Sequence, residues 1–113
     1  MKLINLTPHD VNIVDEDGMP ILTVISSGLA RCKATTVRIG TVDIETENGI
    51  VTIPETTTSF GDVYGLPEPE NNTLYIVSRP IVEATHRADL RIPNETVRDE
   101  QGRIYGCLSL GRI

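Results

Sequence analysis

Tryptophan is absent from this 113-residue chain, phenylalanine occurs once, and aromatic residues make up 4% of the whole. A core must therefore be built from Val, Ile and Leu. Chains of this size with so thin a supply of apolar volume often bury more of it as symmetric homo-oligomers, and such an assembly is expected. Cysteine is scarce as well. Cys32 and Cys107 are the only two, and neither sits in a CxxC pair or a Cys/His cluster with metal spacing. Two small buried thiols in a reducing cytoplasm is the expectation, with no metal and no cofactor. No apolar run approaches a membrane span, and the opening "MKLINLTPHD" has neither a long apolar stretch nor a small-residue cleavage site, so neither a membrane contact nor a signal peptide is expected.

Positive charge is short overall. The net charge is −6 with a pI near 4.8, which argues against a surface for general nucleic-acid binding. The shortage is uneven. Residues 1–78 carry four Lys or Arg against eleven Asp or Glu, whereas residues 79–113 carry six Arg against five acids. Any anion site therefore belongs in the last third. Catalytic signatures are missing too: no Ser/His/Asp or Cys/His pair stands at a diagnostic spacing, and no GxGxxG or Walker-type run occurs.

What is present is mostly β-like. "KLINL" and "VNIVDEDG" alternate apolar and polar residues, and "PILTVIS" comes after the acidic turn at Asp15–Gly18. "LARCKATTVRI" reads as a half-buried strand, with Ala30, Cys32 and Ala34 on its inner face. Asn48-Gly49 lies between two alternating runs, the strongest short-range hairpin signal in the chain. "TTTSFGDVYGLPEPENNT" reads as a loop crossing the surface. "LYIV" at 74–77 has the continuous apolar character of a strand covered on both faces. Ser78 as N-cap and Pro80 in the first turn open one short helix, about 79–88. Pro93 and Asn94 should break the segment beyond the helix, and "VRDEQGRIYGCLSL" reads as a closing hairpin turning at Asp99–Gly102. The expected fold is α+β, a mainly antiparallel β sheet with one short helix, in a single domain over 1–113.

The strand-to-helix step at Ser78 and Arg79 leaves free N–H groups where the helix dipole is positive, and Arg87, Arg91 and Arg98 could add bidentate guanidinium contacts to an anion. The alternative for these arginines is ordinary ion pairing: Arg79 with Glu83, the others with Asp89, Glu95 and Asp99. His9 follows Pro8 in a turn between Thr7 and Asp10, a place for a hydrogen-bonding or proton-carrying group. Its alternative is a turn histidine bonded to the backbone. Tyr64, Tyr75 and Tyr105 could stack on a ring, or serve the core.

"INLTPHDVNIV", "TTSFGDVYGLPEPENNTLYIVS" and "RADLRIPNETVRDEQGRIYGCLSL" together make the whole chain resemble a family of short, largely uncharacterised proteins of tailed phages, prophages and bacteria. That resemblance carries no agreed activity, but it implies a phage setting in the host cytoplasm, where small proteins without catalytic motifs often act by binding. The leading expectation is a non-enzymatic module that sequesters a small, nucleotide-like anionic signal of a host defence system. Its expected ligand-binding residues are Thr7, His9, Ser78, Arg79, Arg87, Arg91 and Arg98, with no catalytic or metal-binding residue. Two other classes stand beside it. One is an adaptor that inhibits a host protein through its acidic face. The other is a small phosphoryl-ester hydrolase with His9 or Asp89 as general base.

Overall fold

The computed structural model describes residues 1–113. Alternating apolar residues give β1 (Lys2–Asn5) and β2 (Val11–Val14), and a tight turn returns the chain as β3 (Pro20–Val24). Asp15 closes that turn. Its Oδ1 accepts from the backbone N–H groups of Asp17 and Met19 at 3.0 and 2.9 Å, while Gly18 takes the left-handed φ of 81° that the reversal requires. Next come two long strands, β4 (Arg31–Thr46) and β5 (Gly49–Tyr64), joined by the two-residue turn Glu47-Asn48. The remaining elements are β6 (Thr73–Ile76), α1 (Arg79–Thr85), β7 (Leu90–Arg98) and β8 (Ile104–Gly111).

The body is a six-stranded sheet in the order β1-β6-β7-β8-β2-β3, and β4-β5 form a separate two-stranded ribbon. The pairs β7/β8, β2/β3 and β4/β5 are antiparallel, while β1/β6, β6/β7 and β2/β8 are parallel. The sheet curls until its two edges touch. Asn5 at the end of β1 pairs with Ser26 just beyond β3, and Ser27 donates its N–H to the Asn5 carbonyl at 2.8 Å.

β6 supplies both layers of the core, as its unbroken apolar run requires. Tyr75 and Val77 point to one side, where Ile81 and Val82 of α1 pack on them with Leu6, Ala30 and Leu90. Ile76 points to the other, against Val11, Val24 and Cys107. Full burial of one such aliphatic side chain contributes about 1.5–3 kcal/mol. α1 starts after Ser78, whose side chain makes no cap bond, and stops where His86 takes the left-handed conformation and donates its N–H to Val82 O. The expected fold class holds: mainly antiparallel β with one short helix.

Three local expectations do not hold. Residues 29–39 are not a half-buried strand throughout: of the expected inner face only Ala30 and Cys32 are covered. Past Cys32, β4 leaves the body and its side chains are exposed as far as Thr41. Residues 56–64 are not loop but the returning half of the ribbon, so the surface crossing begins only at Gly65. Pro93 does not break the chain either. β7 pairs with β6 only at Leu90 and Arg91, so at Pro93 it has a partner strand on one side alone, where a missing donor is tolerated. The ribbon dominates the shape. The extents are 57 × 38 × 20 Å and the radius of gyration is 18.6 Å, against about 13 Å for a compact chain of this length.

Candidate functional site

Asn5 has no exposed surface and uses every polar valence of its side chain. Nδ2 donates to His9 O at 2.8 Å and to Val24 O at 2.9 Å, and Oδ1 accepts from Thr7 N at 2.9 Å and Thr7 Oγ1 at 2.6 Å. Thr7 Oγ1 also lies 2.9 Å from His9 O, so its single proton serves one acceptor at a time. Ser26 adds a second clamp, donating Oγ to Thr7 O at 2.5 Å while its N–H bonds Asp10 Oδ1 at 3.0 Å. This network fixes the path of residues 5–10 and sets Thr7, His9 and Asp10 along one wall of a cleft of about 580 Å³.

The other walls come from distant parts of the chain. Val11 and Asn12 of β2 continue the first wall. The junction of β6 and α1 supplies Val77 and Ser78, β7 supplies Pro93 and Thr96, and β8 supplies Ile104 through Cys107. Asn12 is held by its neighbours, donating to Tyr105 O at 3.2 Å and accepting from Thr23 Oγ1 at 2.9 Å. The His9 ring, Ser78 Oγ and Thr96 Oγ1 make no hydrogen bond within the chain and are free to meet a ligand. Asp10 is the only lining residue with a full negative charge, and the lining contains no Lys or Arg.

Three of the seven expected site residues therefore meet here, namely Thr7, His9 and Ser78. The four arginines do not line the cleft. Arg87 is committed to the body: it bonds Asp89 through Nε at 3.0 Å and NH2 at 2.6 Å, donates NH1 to Pro67 O at 2.7 Å, and lies over the Tyr75 ring at 5.8 Å. The side-chain hydrogen bonds with Arg87 hold the Asp89 carboxyl below the usual carboxylate range. Arg91 donates to the carbonyls of Ala88 and Leu90, both at 2.8 Å, and Arg98 to Gly102 O at 2.7 Å. Arg79 is exposed at the Ser78 end of the cleft and forms no ion pair, with Glu83 or otherwise.

Cys107 lies in the wall beside this polar edge, but burial pushes its thiol up, so the nucleophilic thiolate is scarce near neutral pH. Ser78 likewise has no base bonded to it. Asn12, Thr96 and Pro93 carry no sequence signal that marks them for a site. Asn12 occupies an outward position in "VNIV", which alternation alone marks only as solvent-facing. Tyr105 was legible as a possible stacking ring, and it is half-exposed at the cleft, whereas Tyr75 belongs to the core. Compared with family models, with curated proteins and with solved structures, the chain matches none of them.

Proposed function

We propose that the protein is a non-enzymatic binding protein whose cleft takes a nucleoside-like ligand, a flat polar ring carrying an anionic group that stays at the rim. The observation that carries this is the convergence of uncommitted polar groups, His9, Ser78 and Thr96, from three separate segments on a cleft with apolar walls. Val11, Pro93 and Ile104 offer contact to a ring face, and Tyr105 adds an aromatic surface. Asp10 accepts from ring N–H groups and disfavours a phosphate inside the cleft, so the anion belongs outside, beside Ser78 and the unpaired Arg79. The broader reading, sequestration of a nucleotide signal of a host defence system, rests on the motif resemblance to phage proteins.

The test is calorimetry and thermal-shift measurement of the whole chain against adenosine, guanosine, their 5′-monophosphates and cyclic dinucleotides, with mass spectrometry of the recovered ligand. Binding is expected for the parent and not for Thr96→Trp, which fills the cleft, and the ligand should return intact. Equal binding by parent and Thr96→Trp would put the ligand elsewhere. A chemically altered ligand would move the protein to the enzymes.

A further inference from the structure

Asp10 carries the only carboxylate of the cleft, and no Lys or Arg lines the cleft to neutralise it. Its Oδ1 accepts from Ser26 N at 3.0 Å, and no other group of the chain donates to either oxygen. A carboxylate offers about four acceptor sites, so most of the capacity of this one is left for a ligand. The Ser26 bond also fixes how the carboxylate is turned. Ser26 is itself tied to Asn5 where the edges of the sheet meet, so the N–H that holds Asp10 belongs to the rigid body.

Given a nucleoside-like occupant, on which this step rests, we infer that the ring is guanine, with Asp10 accepting from its N1–H and 2-amino groups. An ionised carboxylate only accepts, so it suits an edge with two neighbouring donors and opposes one that sets an acceptor beside a donor. On their Watson–Crick edges adenine places N1 beside its amino group, cytosine places N3 beside its own, and uracil flanks N3–H with two carbonyls. Guanine alone among the common bases puts a ring N–H beside an amino group. The remaining group on that edge, the O6 carbonyl, needs a donor. Three stand in the cleft without a partner in the chain: the His9 ring, Ser78 Oγ and Thr96 Oγ1. A free guanidinium shares the paired donors of guanine, but it has no acceptor for these three groups. It would also fill only a small part of a cleft of about 580 Å³.

Calorimetry of the full chain against guanosine, inosine, adenosine and methylguanidine tests this without any substitution. Guanosine should bind about 10-fold or more tightly than inosine, which lacks the 2-amino group, as the loss of a hydrogen bond to a charged acceptor requires. Adenosine should bind more weakly still. Asp10→Asn then reverses the reading of one position. Its Oδ1 keeps the Ser26 N–H, which only an acceptor can meet, so the new amide turns its donors to the ligand. Guanosine should lose about 10-fold or more in affinity, and xanthosine, with a carbonyl in place of the 2-amino group, should bind the variant more tightly than it binds the parent. Equal binding of guanosine and adenosine by the parent would leave the nucleoside cleft standing and overturn the guanine assignment. So would methylguanidine binding as tightly as guanosine, or a guanosine preference that Asp10→Asn leaves unchanged. A parent that binds none of the nucleosides would remove the cleft reading and this assignment together.

Discussion

Asn5→Ala deletes four hydrogen bonds from a fully buried side chain. Thr7 Oγ1 can turn to His9 O, which leaves Thr7 N and Val24 O as the groups most exposed to loss. At about 1 kcal/mol net per neutral bond, with more for a group left buried and unpaired, the cost is about 3–4 kcal/mol. That is a large share of the roughly 5–15 kcal/mol typical of a small domain. Asn5→Asp sharpens the test. It keeps the acceptor for Thr7 but turns a carboxylate toward the carbonyls of His9 and Val24, which raises its folded pKa above the unfolded value of about 3.9. The protonated form can still donate to one carbonyl, so the variant is least penalised below that unfolded value and loses stability as pH rises through the folded one. Urea unfolding followed by far-UV circular dichroism at pH 4 and pH 7 measures this, taking the parent-minus-variant difference at each pH. A penalty for Asn5→Ala below about 0.5 kcal/mol, the usual range of surface changes, or an Asn5→Asp penalty independent of pH, would refute the assigned network.

Gly65 and Gly102 share nearly the same backbone, φ 78° and 79°, but a Cβ on Gly65 would lie 2.5 Å from Leu29 O while one on Gly102 meets nothing within 4 Å. Gly102→Ala should therefore cost about 1 kcal/mol of backbone strain and Gly65→Ala about 3 kcal/mol or more, a difference that parallel thermal unfolding would read directly. Asp89→Asn should lower stability by about 1 kcal/mol at neutral pH, since the pair with Arg87 is only partly buried. Because the native carboxyl is held below its unfolded value, that contribution is present above about pH 4 and fades as pH falls through the folded pKa, so the two proteins should converge in acid.

Much of the body was legible because its residues obey strong local rules. "LYIV" could be read as a strand covered on both faces, and Pro80 and Ser78 marked the helix start. The two acidic turns share "DE-x-G", and the structure gives both the same bonding, with Asp99 Oδ1 accepting from Gln101 and Arg103 as Asp15 does from Asp17 and Met19. The ribbon was hidden for the opposite reason. Its threonine-rich centre has no burial pattern of its own to mark strand length, and the Pro and Gly after it drew the loop boundary too early. The cleft was half legible. Thr7, His9 and Ser78 could be named from turn and cap chemistry, but nothing local says that β8 inserts between β7 and β2 and brings Thr96 and Tyr105 to them. For Arg87, Arg91 and Arg98, charge density is visible in sequence while their carbonyl partners, such as Pro67 O, are not.

The strand order also governs how the chain must be made. β2 is released early from a ribosome, yet its neighbour on one side is β8, and β1 waits for β6. The sheet can close only once β8 has been made, and until then β1, β2 and β3 present unpaired edges. Non-local pairing of this kind is slow and aggregation-exposed. The first 78 residues carry the acidic excess of the chain, so two such waiting segments would repel rather than attract one another.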